Sequence, residues 1–120
     1  MADEVLMVQG IVVDSKNEYN VALALDSLDV TYEFQYIVGI AGVRGAQYID
    51  FLVYTVPKPT PLFVHGEYWH TGKKAVEDDL KIAELTAVMH NLWADPVIIW
   101  GEDCDTFDDA RAKLRELLMI

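Results

Sequence analysis

Cysteine is almost missing from the chain: Cys104 is the only one, so no internal disulfide and no cysteine-rich zinc site can be built. That is the expectation for a reducing, intracellular compartment. Basic residues are scarce as well, with 9 Lys and Arg against 20 Asp and Glu and a net charge of −11. An acidic field of that size repels phosphate backbones, so nonspecific nucleic-acid binding is expected to be weak unless the few cations gather locally. No apolar run approaches the roughly 20 residues that a membrane helix needs. The opening MADEVLMVQG carries acids where a signal peptide needs bases. A cytoplasmic protein with no membrane contact is expected. Repeats, low-complexity tracts and linkers are also absent, which predicts one domain over residues 1–120.

What is present is apolar. Hydrophobic residues make up 52% of the chain, enough to exclude disorder and to fill one core. SKNEYNVALALDSL predicts a first helix, with Ser15 as N-cap and Glu18 completing a capping box. Val21, Leu25 and Leu28 supply its apolar face. In VTYEFQYIVGI, Tyr32, Phe34 and Tyr36 alternate with Glu33 and Gln35, the period of a strand. YIDFLVYTV reads as a second strand, PKPTP as a turn that no helix crosses, and LFVHGE as a third strand. From Lys73 or Lys74 to about Met89, Val76, Leu80, Ala83 and Ala87 recur at helical spacing. PVIIW is fully apolar and reads as a central strand. A last helix is predicted from about Phe107 to Leu118, beginning at Asp105 or Thr106, with Asp108 and Asp109 in its first turn. The expected fold is α/β (α+β): an αβββαβα core with a mixed central sheet flanked by helices.

Asp50 stands inside an otherwise apolar strand, where a carboxylate must be paired, metal-bound or at a strand end. In LFVHGEYWH, His65 and Glu67 share one face of the third strand by its period of two. Together with Asp50 they can converge on a hard cation held by carboxylates and carbonyls. Glu18 can project from the first helix toward the same point, although a capping-box glutamate already has a structural task. His70, beyond the strand, can move protons near neutral pH or be an ordinary loop histidine. Tyr68 and Trp69 read as aromatic anchors unless their neighbours are ligands. Asp78, Asp79 and Lys81 look like a solvated helix face, and His90, Trp93 and Trp100 are taken as structural.

Several motifs are excluded. His65-Gly66-Glu67 matches the H-x-E of zinc deaminases, yet their paired-cysteine partner is missing. No P-loop, nucleophile elbow or dinucleotide fingerprint occurs.

The order of elements, with Glu18 on the first helix, Asp50 on the second strand and FVH at residues 63–65, resembles the PD-(D/E)XK, or restriction-endonuclease-like, superfamily. Within it, FVHGEYWH is similar to the Phe-Thr-His-Gly-x-aromatic-Trp-His segment of the very-short-patch repair endonucleases, and PVIIWGEDC to their apolar strand ending in Trp-Glu-Cys. The likeness covers roughly residues 15–118. It implies a small Mg2+-dependent (or Mn2+-dependent) DNA endonuclease that hydrolyses phosphodiester bonds. Asp50 and the main-chain carbonyl of Val64 would hold the ion, with Glu67 as a further ligand. His65 would replace the usual lysine and His70 would be the general base. Trp69 would be the wedge in the base stack, while Lys73, Lys74 and Lys81 would engage phosphates. The DNA would be structured, nicked or mismatched, and a homodimer or a protein partner would offset the acidity. Phe63 stands where the superfamily keeps an acid, and one cysteine cannot form the repair enzymes' zinc site, so no zinc is expected. The competing expectation is a nuclease fold without catalysis, an acidic interaction or assembly module.

Overall fold

A computed structural model describes residues 5–13, 15–38, 47–65 and 73–120, with side chains described for all of these except Gln47 and residues 73–79. The Ser15 hydroxyl accepts the Glu18 backbone N–H at 3.2 Å and opens α1 (Lys16–Ser27) as its N-cap. The helix stops by a Schellman pattern: Asp29 N–H donates to the Asp26 carbonyl and Val30 N–H to that of Leu25. Asp29 takes the left-handed position, φ 58°, that glycine more often fills. Thr106 caps α3 (Phe107–Leu118) in the same manner, accepting from Asp109 N–H at 3.1 Å.

Upstream of α1 lies a hairpin that sequence periodicity had not suggested, β1 (Met7–Val8) and β2 (Ile11–Val12). Each strand is only two residues long, too short for alternation to show. Gln9 and Gly10, both at positive φ, give the left-handed turn that suits a two-residue hairpin. The Gln9 side chain then acts as a short piece of strand. Its amide donates to the Tyr32 carbonyl at 2.7 Å, and its oxygen accepts Phe34 N–H at 2.9 Å. Two edge groups of the main sheet are thereby covered.

That sheet has the order β3 (Tyr32–Val38), β4 (Gln47–Val53), β5 (Thr60–His65), β6 (Val97–Trp100). The first three strands form an antiparallel meander, and α2 (Lys73–Met89) carries the chain across to β6, which runs parallel to β5. The αβββαβα core with a mixed sheet between helices is therefore present as expected. β6 differs: it is last in the order rather than central, and of its residues only Ile99 is fully buried. Its apolar run reflects helices over both sheet faces, not a neighbour on both edges.

Two apolar clusters sandwich the sheet. On one side α1 and α3 cover Phe34, Phe51, Val53, Leu62 and Ile99. On the other, Leu85, Ile82 and Met89 of α2 cover Ile49, Leu52 and Phe63. The buried stripe of α2 is thus not the expected one: Leu80, Ala83 and Ala87 are exposed. Both stripes have helical spacing, and the one with the bulkier side chains faces the sheet. Among the described residues no helix is long and apolar enough to cross a membrane.

Tyr32 joins the first cluster and carries a consequence for alkaline stability. Burial, reinforced by the neighbouring Asp26 carboxylate and its hydrogen bond, pushes the Tyr32 phenol up from 10.0 to about 12. Folding then favours the neutral phenol. Its contribution is complete below the ordinary value of 10.0 and is lost as pH rises toward about 12. Thermal melts across that window are expected to show falling stability, with a shallower fall for Tyr32→Phe.

Candidate functional site

The chemistry-bearing end of the sheet is set by one missing rung. β3 and β4 pair in constant register from Tyr32↔Val53 to Val38↔Gln47, but no rung of this ladder joins Gln35 to Asp50, which would face it. The β4–β5 ladder stops at the same place, its last pair being Phe51↔Leu62. Gln35 has φ 52°, a left-handed conformation in the middle of a strand. For a residue with a side chain this costs about 1–3 kcal/mol unless the surroundings hold it.

Both strands change faces across this rung. Phe34 and Phe51 lie in the cluster under α1 and α3, whereas Tyr36 and Ile49, each two residues away, pack in the cluster under α2. Ordinary pleating would keep them on one face. Released from the ladder, the Asp50 carboxylate reaches across to β5 and accepts Val64 N–H through Oδ2 at 2.8 Å. The half-buried acid thus replaces a backbone acceptor where the two strands part. Since N–H and C=O of one strand residue leave on the same edge, the Val64 carbonyl is turned toward the side that Asp50 occupies. Of the three situations expected for Asp50, paired, metal-bound or at a strand end, the structure shows a partner in the main chain of Val64.

His65 follows directly and pairs in register with Trp100 at the C-terminal ends of the parallel strands. The two rings meet edge to face, centroids 5.2 Å apart at 83°, and Phe63 contacts His65 from the same strand face. Trp100 is 43% exposed, so the tryptophan taken as structural presents part of its ring to solvent beside the candidate site.

α1 is fastened to this end by two asparagines. Asn17 donates to the Gly101 carbonyl at 2.8 Å and to an Asp105 carboxylate oxygen at 3.1 Å. Asn20, buried, donates to the carbonyls of Cys104 and Asp105 at 3.0 and 3.1 Å. Gly101 opens the 3-10 turn Gly101–Asp103 immediately after Trp100. The N-terminal turn of α1, with Glu18 half-buried on it, therefore lies at the sheet end that carries His65 and Trp100. Cys104, in the loop these asparagines hold, is not poised as a nucleophile. It is fully buried, and burial pushes its thiol up from the ordinary value.

Of the expected site residues, the fold joins Asp50 to the main chain of Val64, with His65 next on the same strand, and sets the start of α1, with Glu18, at the sheet end of His65 and Trp100. Glu67, Trp69 and His70 lie outside the described residues. Lys73 and Lys74 begin α2, and their side chains are likewise outside them. Lys81 is exposed on α2, as a solvated face would have it. Gln35, Asn17 and Asn20 escaped the sequence reading. The asparagines had one available signal, a polar pair three apart on a helix beside its apolar face. Gln35 had none, because its neighbours keep alternating through it.

Asp50 Oδ2 and a backbone carbonyl are hard oxygen donors of the kind Mg2+ and Mn2+ prefer. Among the described residues, no group of three or more His, Cys, Asp and Glu residues is placed to hold a metal ion. No protein-family model, no curated protein and no solved structure matches the chain.

Proposed function

We propose that this protein is a small divalent-metal-dependent DNA endonuclease of PD-(D/E)XK type, with its centre at Asp50. The observation that carries the reading is the Asp50 carboxylate seated on the Val64 main chain at the point where β4 and β5 separate. The order of elements along the chain, a helix, a three-stranded meander, a crossover helix and a further strand, supports the reading. Asp50 and the Val64 carbonyl would hold one Mg2+, with water completing a coordination sphere that this ion seldom fills from protein alone. Bound there, the ion would supply charge stabilisation at the phosphoryl group and a more acidic water. His65 follows Val64 on β5 and would hold or pass a proton near neutral pH. Lys73, Lys74 and Lys81 would meet phosphates, Trp69 the base stack, Glu67 the ion and His70 the attacking water.

A second reading is favoured by Phe63. The superfamily's acidic position is here a buried phenylalanine, built into the cluster under α2. With a net charge of −11, the same scaffold suits a binding module that has given up catalysis. One set of assays separates the two: plasmid, nicked and branched DNA incubated with Mg2+ or Mn2+, with and without chelator, and Mn2+ titrated by calorimetry. Metal-dependent strand cleavage is the expected result. Intact DNA together with no heat of Mn2+ binding would overturn the enzyme and leave the module.

A further inference from the structure

We infer that Gln35 is a positioning residue: its left-handed backbone interrupts the β3–β4 ladder at Asp50 and turns the carboxylate to Val64. The interrupted ladder, the positive φ and the change of faces coincide at one pair of residues, Gln35 and Asp50, within a register otherwise unbroken on both sides. Extended backbone at 35 would let that rung pair. Asp50 would then point out from a pleated strand like its neighbours, and the β4–β5 ladder could extend past Phe51↔Leu62. Instead β3 and β4 rotate together. Tyr36, Val38 and Ile49 move under α2, and the acid is left at the break. Strain of this kind persists only where surrounding structure over-determines it, and here the two clusters on either side of the rung do so. The inference stands on where the carboxylate is held. Its bearing on catalysis rests on the nuclease reading above.

The side chain at 35 decides whether the bend is tolerated. Glycine enters the left-handed region without steric cost and asparagine does so more readily than most residues, whereas a β-branched valine is excluded from it. The test compares Gln35→Gly, Gln35→Asn and Gln35→Val in the full chain, with Glu33→Val as a control on the same strand. Val64 amide hydrogen exchange is read by NMR and Mn2+ affinity by calorimetry. The glycine and asparagine variants are expected to melt no lower than the wild type, to protect Val64 as the wild type does and to keep its Mn2+ affinity. In Gln35→Val, the Val64 amide is expected to exchange about tenfold faster or more. Mn2+ affinity is expected to fall about 10- to 100-fold, as when a group supporting a metal ligand is lost. Glu33→Val should change neither. Val64 protection unchanged in Gln35→Val, or lost in a folded Gln35→Gly, overturns the inference. Should Gln35→Val not fold, the glycine and asparagine variants decide it by the same criterion. A wild type that binds no Mn2+ removes the nuclease reading, and the exchange measurement still decides the role of Gln35.

Discussion

On the proposed nuclease reading, Asp50→Asn and Asp50→Ala are both expected to reduce metal-dependent DNA cleavage by at least about 100-fold, while differing in what they do to the fold. A bound ion supplies several kcal/mol of transition-state stabilisation. At about 1.4 kcal/mol per tenfold, losing even part of that accounts for such a drop. Stability behaves otherwise. Asp50→Ala takes the acceptor away from Val64 N–H, a bond of 2.8 Å at a half-buried position. Leaving such a donor without its partner costs about 1–3 kcal/mol. Asparagine retains a side-chain oxygen at the same reach and is expected to lose well under half as much. Cleavage rates measured where all three proteins are folded, set beside urea unfolding curves, distinguish the two roles. Activity lost equally in both variants with stability lost mainly in alanine fits a metal-holding carboxylate. Activity that simply follows stability makes Asp50 a strand clip and nothing more.

The elements were legible wherever local chemistry decides them. Ser15 and Thr106 announce helix starts because a cap acts within its own turn, and both accept the backbone N–H three residues on. Tyr32 and Phe34 announce a strand because pleating is local too. What lay beyond reach depends on partners far along the chain. Whether Val97–Trp100 is central or last in the sheet is fixed by what pairs with it, and an apolar run reads the same in either place. Leu85 rather than Leu80 faces the sheet because of what β4 and β5 present to α2. Asp50 was conspicuous as an acid among apolar neighbours, so the position was visible. Its partner was not: a hydrogen bond to Val64 N–H requires knowing where the ladder stops. Gln35 is the extreme case. Glutamine flanked by tyrosine and phenylalanine at alternate positions reads as ordinary strand, and the left-handed backbone that singles it out is imposed by tertiary structure.

Phe51→Ala is expected to be the most damaging single truncation, lowering the free energy of unfolding by about 3–5 kcal/mol. Phe51 is wholly buried at the centre of the larger cluster, its ring 4.9 Å from Phe34 and 5.5 Å from Tyr32, with the Tyr32 contact edge to face. Little nearby can collapse into the space left behind. Phe34 and Tyr32 belong to the paired strand β3, and Leu62 is held in register on β5. Native domains commonly have only about 5–15 kcal/mol in total, so the variant should sit near the limit of folding at ambient temperature. Phe51→Leu, which keeps most of the volume, is expected to lose about half as much or less. Urea unfolding of the three proteins measures both. The effect should also reach the candidate site. Phe51 pairs with Phe34 on one side and Leu62 on the other, making it the last fully paired rung before the strands part. A cavity there loosens the residue beside Asp50, so Val64 should lose amide protection in Phe51→Ala at urea concentrations well below the global midpoint. A loss under about 2 kcal/mol, smaller than core aromatic truncations produce, would mean that the cluster yields around the gap. In that event the break at Asp50 would be held chiefly by the α2 side of the sheet, through Ile49, Leu52 and Phe63.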